Sequence, residues 1–76
     1  MVYIIVEDRE NGKREVVEAK VGFSFDENNS FVCIENMGCE VSNKGIFETK
    51  EEAEKNLYSS TDIVIKEKYG LSVFYR

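Results

Sequence analysis

The dipeptide Asn11-Gly12 constrains the fold of this 76-residue chain more than any other feature of its sequence. Asn-Gly supplies two adjacent residues that tolerate a positive φ angle, and so it favours the type I′ turn of a two-residue β-hairpin. A hairpin closed there predicts three apolar pairs on one face of the sheet, namely Val6 with Val17, Ile4 with Ala19, and Val2 with Val21. A slip by one residue would turn every one of these side chains to the other face, so the apolar pattern fixes the faces.

The second strand of this hairpin continues with apolar side chains at every other position. They are Val17, Ala19, Val21, Phe23 and Phe25. A helix cannot place residues of this spacing on one face, whereas a strand does so at every second residue. We therefore predict one long strand with all five side chains on its buried face.

The segment that follows predicts one further strand and leaves the next element open. The turn-forming residues 26–30 precede the short apolar run 31–34, which predicts a third strand antiparallel to the second. Residues 36–45 contain glycines between short apolar stretches, and they allow either a fourth strand or a hairpin about Asn43-Lys44. The sequence does not choose between these two alternatives.

One helix is predicted in the second half of the chain. Thr49 and Glu52 have the spacing of a capping box, in which the threonine hydroxyl accepts from the Glu52 amide and the glutamate side chain reaches back. The helix would run from Thr49 to about residues 59–60. Its apolar stripe is narrow, because it consists mainly of Ala53 and Leu57.

The remaining apolar runs complete the predicted fold. Strands are expected at 63–65 and 71–75, on either side of a turn near Tyr69-Gly70. The order is then β-β-β-(β)-α-β-β within a single small domain, residues 1–76. This order favours an α+β fold, with a single largely antiparallel β-sheet of five to six strands and one α-helix packed on one face.

The predicted sheet is wider than the predicted helix. Five strands at ~4.8 Å spacing place the outer strands ~19 Å apart, whereas a helix with its side chains is only ~10–12 Å across. One narrow helix therefore cannot cover the apolar face of a flat sheet. Either the sheet curls around its core within a monomer, or a second protein surface covers the remainder. Under the second alternative the candidate interface residues are Tyr3, Ile5, Phe23, Phe25 and Tyr75.

Composition argues against several classes of function. The chain has no His, so the usual general base near neutral pH and most zinc sites are missing, and we predict no catalysis, no cofactor and no bound metal. Its net charge of -5 argues against direct contact with nucleic acid. The longest apolar run, Met1 to Val6, is far shorter than the ~20 residues of a membrane span. We therefore expect a cytoplasmic protein that does not enter a membrane.

The cysteines and the clustered carboxylates could also support chemistry, but they have simpler interpretations. Cys33 and Cys39 do not have the spacing of a zinc or redox motif, and a disulfide between them would need Cα atoms within ~4.4–6.8 Å. We interpret both as reduced residues that serve packing. The acidic clusters lie at predicted turns and at the start of the helix, and we interpret them as solvated surface.

The segment Gly45–Glu54 resembles a strand-to-helix junction, G-x-F-x-[ST]-x-x-x-A, found in small accessory proteins of phages and mobile elements and in the peptidoglycan-binding SPOR repeats. SPOR domains have two helices in a βαββαβ order, whereas residues 7–30 of this chain predict a hairpin and a loop in place of the first helix. The resemblance covers about a seventh of the chain and assigns no family.

Three hypotheses of function follow from these observations. The apolar excess favours a non-enzymatic protein-interaction module, which binds a second copy as a homodimer, or another protein, through its sheet. A second hypothesis is a small-ligand or enzymatic site in a pocket under the helix, with carboxylate and Tyr groups. The negative charge favours a third, an acidic inhibitor or phage-type accessory protein that acts on a basic nucleic-acid-binding protein.

Overall fold

A curled β-sheet organises the chain. The structure is a computed structural model that describes residues 1–24, 26–34, 37–67 and 70–74. These residues form six strands, one α-helix and one 3₁₀ turn. The elements are β1 (Val2–Asp8), β2 (Arg14–Ser24), β3 (Asn29–Ile34), β4 (Met37–Ser42), the 3₁₀ turn (Asn43–Gly45), α1 (Lys50–Lys55), β5 (Ile63–Glu67) and β6 (Gly70–Phe74).

The strands follow the order β4-β3-β2-β1-β5-β6 across the sheet. Neighbouring strands are antiparallel, except that β1 and β5 are parallel. This arrangement confirms a small α+β fold with a mostly antiparallel sheet and one helix. The sheet is not flat, however, because its two edge strands, β4 and β6, come into contact and give it a nearly barrel-like shape.

The inner face of the curled sheet encloses the larger of two apolar clusters. Its buried members are Ile4, Val6, Ala19, Val32, Ile34, Cys39, Val41 and Val64. Strands from both halves of the sheet contribute to this cluster, so the chain covers the Ile4 face with its own side chains. The curl therefore resolves the mismatch between sheet and helix without a second protein. Any case for a binding surface has to rest on residues outside this core.

The β1–β2 hairpin forms, but its register differs from the predicted one. Ile4 pairs with Val17 and Val2 pairs with Ala19, so β2 is displaced by two residues along β1. Because side chains alternate with a period of two, this even shift leaves every residue that pairs between β1 and β2 on its predicted face. The faces of the hairpin were therefore predictable even though the pairing was wrong.

The turn between β1 and β2 spans residues 9–12 rather than two residues. The Asp8 amide donates to the Lys13 carbonyl at 2.8 Å, and the Gly12 amide donates to the Asp8 carbonyl at 2.7 Å. The Asn11 side chain accepts from the Lys13 amide at 2.8 Å, as asparagine commonly does in turns. Gly12 has a φ of 70°, so it adopts the left-handed conformation that glycine tolerates, but it does so in a four-residue loop instead of a two-residue turn.

A β-bulge at Gly22 changes the face of the end of β2. Val21 pairs with Val32 and Phe23 pairs with Phe31, so two steps along β2 match one step along β3. Val21 therefore lies on the inner side with Val32, whereas Phe23 lies on the outer side with Phe31. The prediction that the alternating residues all share one buried face is therefore wrong for Phe23, and Val21 keeps its predicted side but is 43% exposed, while Phe25 lies outside the described residues.

Helix α1 begins at the predicted cap. The Thr49 hydroxyl accepts from the Glu52 amide at 3.2 Å, as in the first half of a capping box. The helix is shorter than predicted, because it spans Lys50–Lys55 and ends at Asn56 rather than near residues 59–60. The Asn56 side chain donates to the Glu52 carbonyl at 2.9 Å and so satisfies one of the carbonyls left open at the helix end.

The second apolar cluster lies on the outer face of the sheet, and we call it the helix cluster. Its buried members are Ile5, Phe47, Ala53 and Ile63, with Tyr3, Val16, Leu57 and Ile65 partly buried against them. Ile5 and Ala53 are both 0% exposed. Ala53 thus contacts the face of the sheet that carries Ile5. The predicted pairing had placed the helix on the other face, which carries Ile4. The physical reason is the curl, which fills the inner face with strand side chains.

Candidate protein-interaction surface

Two of the five predicted interface residues belong to the helix cluster. Ile5 is fully buried, so it cannot touch a partner while the chain is folded. Tyr3 is half-buried, and its backbone is joined to Phe47 by two hydrogen bonds of 2.8 Å. Both residues therefore stabilise the fold, and neither is needed as an interface residue to explain its position. Phe25 and Tyr75 lie outside the described residues.

Phe23 is the predicted interface residue that the structure places at the surface, with 54% of its area exposed. It lies on the outer face of β2, farther along the strand than the residues that contact the helix cluster. There β2, β3 and β4 form a grid of two rows. One row is Lys20, Cys33 and Gly38, and the next is Phe23, Phe31 and Glu40. We call these six residues the outer patch.

The two aromatic rings of the outer patch are stacked on each other. The ring centroids of Phe23 and Phe31 are 5.3 Å apart, and the ring planes differ by 12°. The Phe31 ring lies directly over Gly38, where an added Cβ would overlap it, and an added Cβ at Gly22 would lie 3.2 Å from it. The glycines thus let a ring lie flat against the backbone. Such a ring offers apolar area with few rotatable bonds to immobilise on binding.

Two opposite charges flank these rings. Lys20 is exposed and Glu40 is half-buried, and they occupy diagonally opposite corners of the grid. Neither makes an ion pair with another residue of the described ranges. The outer patch therefore combines an aromatic centre with one cation and one anion at its rim, which is the composition typical of protein interfaces.

Sequence reasoning selected Phe23 but missed its neighbours. It placed Phe23 on the buried face, because the bulge was not recognised. Gly22 in the middle of a strand pattern is the signal that indicates a bulge. Once the bulge is placed, antiparallel pairing brings Phe31 beside Phe23 and Cys33 beside Lys20.

The two cysteines lie on opposite faces of the sheet, and both thiols are free. Cys33 is exposed in the outer patch, whereas Cys39 is 7% exposed within the inner cluster. Since strand side chains alternate, Cys33 and Cys39 point away from each other and do not form a disulfide. Burial, and to a smaller degree the neighbouring Cys33, raises the pKa of the Cys39 thiol to about 11.

This placement predicts that one thiol per chain reacts rapidly with dithionitrobenzoate at about pH 8, because the reaction needs an accessible thiolate. Cys33 meets the access requirement. Cys39 is enclosed and stays protonated until the pH approaches about 11, so it should react only after unfolding in urea. Cys33→Ser should abolish the fast phase and Cys39→Ser should preserve it. A fast phase that survives Cys33→Ser would contradict the enclosed position of Cys39.

Arg14 ties the hairpin to the segment that follows α1. Its Nε donates to Glu7 Oε1 at 3.0 Å, and its Nη1 donates to the carbonyls of Leu57 and Ser60 at 2.9 and 3.0 Å. The Arg14 side chain is 18% exposed and that of Glu7 is 27% exposed. These bonds satisfy backbone acceptors beyond the helix end, so the role of this guanidinium is structural.

The space beneath α1 is filled rather than hollow. Ala53, Ile5 and Phe47 meet there as part of the helix cluster, so these residues do not form the ligand pocket of the second hypothesis. A surface hollow of about 390 Å³ opens beside the first turn of α1, with Tyr3 and Lys50 among its lining residues. Another, of about 360 Å³, lies beside the loop between β2 and β3. Asn43, one of the residues that line this second hollow, donates to the carbonyls of Asn28 and Glu27, so its polar groups hold the loop in place.

In the described part of the chain, no three His, Cys, Asp or Glu residues come together as a metal site would require. The helix found there is also too short and too polar to cross a membrane. Comparisons of the chain with protein-family models, with curated proteins and with solved structures give no match.

Proposed function

We propose that the protein is a non-enzymatic interaction module that binds a protein partner through the outer patch. The observation that carries the proposal is the exposed Phe23 ring, stacked on Phe31 on a part of the sheet beyond the helix cluster. Buried aromatic residues surrounded by a polar rim contribute most of the binding energy at typical protein interfaces. Phe23 would serve as the anchor, and Lys20 and Glu40 would form part of the rim.

Two further properties support a protein partner. The net charge of -5 disfavours contact with nucleic-acid phosphates, so an apolar patch on this chain is better matched to a protein surface. The free thiols of Cys33 and Cys39 suit a reducing compartment, and we propose the cytoplasm as the place of action.

Photo-cross-linking tests the outer patch directly. Cys33 lies in the patch and is the accessible thiol, so a benzophenone maleimide can be attached there without altering the sequence. The matched control carries the same label at an exposed position beside α1, in a Cys33→Ser, Ser59→Cys chain. Both chains are irradiated alone and in an extract of source cells, and adducts are identified by mass spectrometry.

We expect adducts of discrete mass from the Cys33 label. They should disappear when Phe23→Lys is introduced and persist when Tyr58→Lys is introduced, because Tyr58 is 74% exposed but lies outside the patch. Equal adducts from both label positions, or adducts indifferent to Phe23→Lys, would refute the proposal. Adducts formed only from position 59 and lost in high salt would instead favour the acidic accessory protein, because exposed glutamates of α1 lie near that label.

A further inference from the structure

We propose that the partner of the outer patch is a second copy of this chain, related by a two-fold axis that runs along the Phe23–Gly38 diagonal of the patch. This inference rests on the proposed function, because it names the partner of that same surface. It follows from the positions of the charged residues on the grid, and it predicts which residues meet across the interface.

The grid is self-complementary in charge. Lys20 and Glu40 occupy the two corners that lie off the Phe23–Gly38 diagonal. Rotation by 180° about that diagonal, with the two patches face to face, exchanges these corners. Lys20 of each copy then lies over Glu40 of the other, and the interface has two equivalent ion pairs, as a two-fold interface requires.

The same rotation sets the apolar contacts. Phe23 lies at one end of the axis, so the two Phe23 rings meet there, and the two Phe31 rings, each of which lies over its own Gly38, meet toward the other end. The strands of the two sheets would cross at a near right angle, which is one of the two arrangements that packed sheets adopt. Desolvation of the exposed Phe23 ring then supplies the main driving force.

The size of the patch predicts the strength of the association. Six residues on each copy form a contact well below the ~800 Å² per partner of a standard interface, so the dimer should be weak and reversible. We therefore expect a dissociation constant in the micromolar range or above, with rapid exchange between monomer and dimer.

Charge-swap variants test this arrangement by sedimentation velocity over a concentration series at physiological salt. Lys20→Glu and Glu40→Lys should each weaken the dimer by about tenfold, since each converts two attractions into two repulsions. The double variant should return to the wild-type dissociation constant, because it restores both pairs with the charges exchanged. Phe23→Lys should be monomeric throughout the series.

Lys44→Glu and Glu48→Lys are the matched controls, because they make the same changes of net charge at exposed positions outside the patch. Both should associate as the wild type does, and urea unfolding should verify that every variant is folded. A double variant no tighter than the single variants would overturn the proposed geometry.

A wild-type chain that stays monomeric throughout the series would overturn the homodimer. If its Cys33 label still captures another protein in a manner that depends on Phe23, the interaction surface is retained and only the identity of the partner is wrong. If no such capture occurs either, the proposed function fails together with the inference.

Discussion

Arg14→Met should lower the free energy of unfolding by about 3 kcal/mol, which is a large share of the ~5–10 kcal/mol expected for a domain of this size. The substitution keeps most of the apolar stem and removes all three hydrogen bonds of the guanidinium, to Glu7, Leu57 and Ser60. Hydrogen bonds to charged groups contribute roughly 1.5–3 kcal/mol each when buried, but Arg14 and Glu7 are partly exposed and the freed partners can bind water, so we expect the three bonds together to contribute about 3 kcal/mol. Equilibrium urea unfolding measures the difference.

Arg14→Lys separates the fork geometry from the charge. A lysine ammonium has three N–H donors, but all of them are on one nitrogen, whereas the Arg14 bonds leave from Nε and Nη1, so we expect a loss of about half as much. Lys13→Met is the control, because it removes an exposed cation from the adjacent position, and it should cost less than ~0.5 kcal/mol. If Arg14→Met and Lys13→Met proved equally mild, the link between β2 and the segment after α1 would not stabilise the fold.

Gly45→Ala should destabilise the protein by about 2–3 kcal/mol, even though Ala is the smallest residue with a side chain. Gly45 is buried, and an added Cβ would overlap the backbone carbonyl oxygen of Asp62 and lie 3.0 Å from its Cβ. Backbone cannot move aside as a side-chain end can. Asp62 immediately precedes β5, so relief of the overlap would displace the strand that pairs with β1.

Gly38→Ala is the informative comparison for this prediction. An added Cβ there overlaps the ring of Phe31 instead of backbone, and a ring at the surface can rotate away. The loss of stability should therefore be smaller, about 1 kcal/mol, while the Phe23–Phe31 stack is disturbed. If the Gly45→Ala variant were as stable as Gly38→Ala, the backbone at Asp62 would be able to move at little cost, and the prediction would be wrong.

The sequence predicted the elements of this fold better than their arrangement. Alternation along β1 and β2 fixed which side chains share a face, and Thr49 fixed the start of the helix. The length of the β1–β2 turn was not predictable from Asn11-Gly12 alone, because the Asp8 and Asn11 side chains also bond the loop backbone and favour a four-residue turn. The strength of the curl and the side on which α1 lies depend on long-range packing, which no local pattern encodes.

Only part of the candidate site was predicted from the sequence, and the reason for which Phe23 was selected differs from the reason that the structure shows. Phe23 was selected because a flat sheet would leave its face uncovered. In the structure the Gly22 bulge turns it to the outer side, and the end of β2 is exposed on both faces, since Val21 on the inner side is also 43% exposed. Lys20 and Glu40 belong to the same surface only because β2, β3 and β4 pair side by side. Their diagonal relation involves two strands that are not adjacent, so it could not be read from a single strand.

The central position of β1 has a consequence for how the chain is made. β1 pairs on one side with β2, which follows it closely, and on the other side with β5, which begins only at Ile63. During synthesis on the ribosome the hairpin can form early, but the second edge of β1 stays open until residues 63–66 emerge. Such long-range pairing slows folding and leaves a strand edge exposed to other nascent chains, so recovery of native protein should fall when translation pauses before β5.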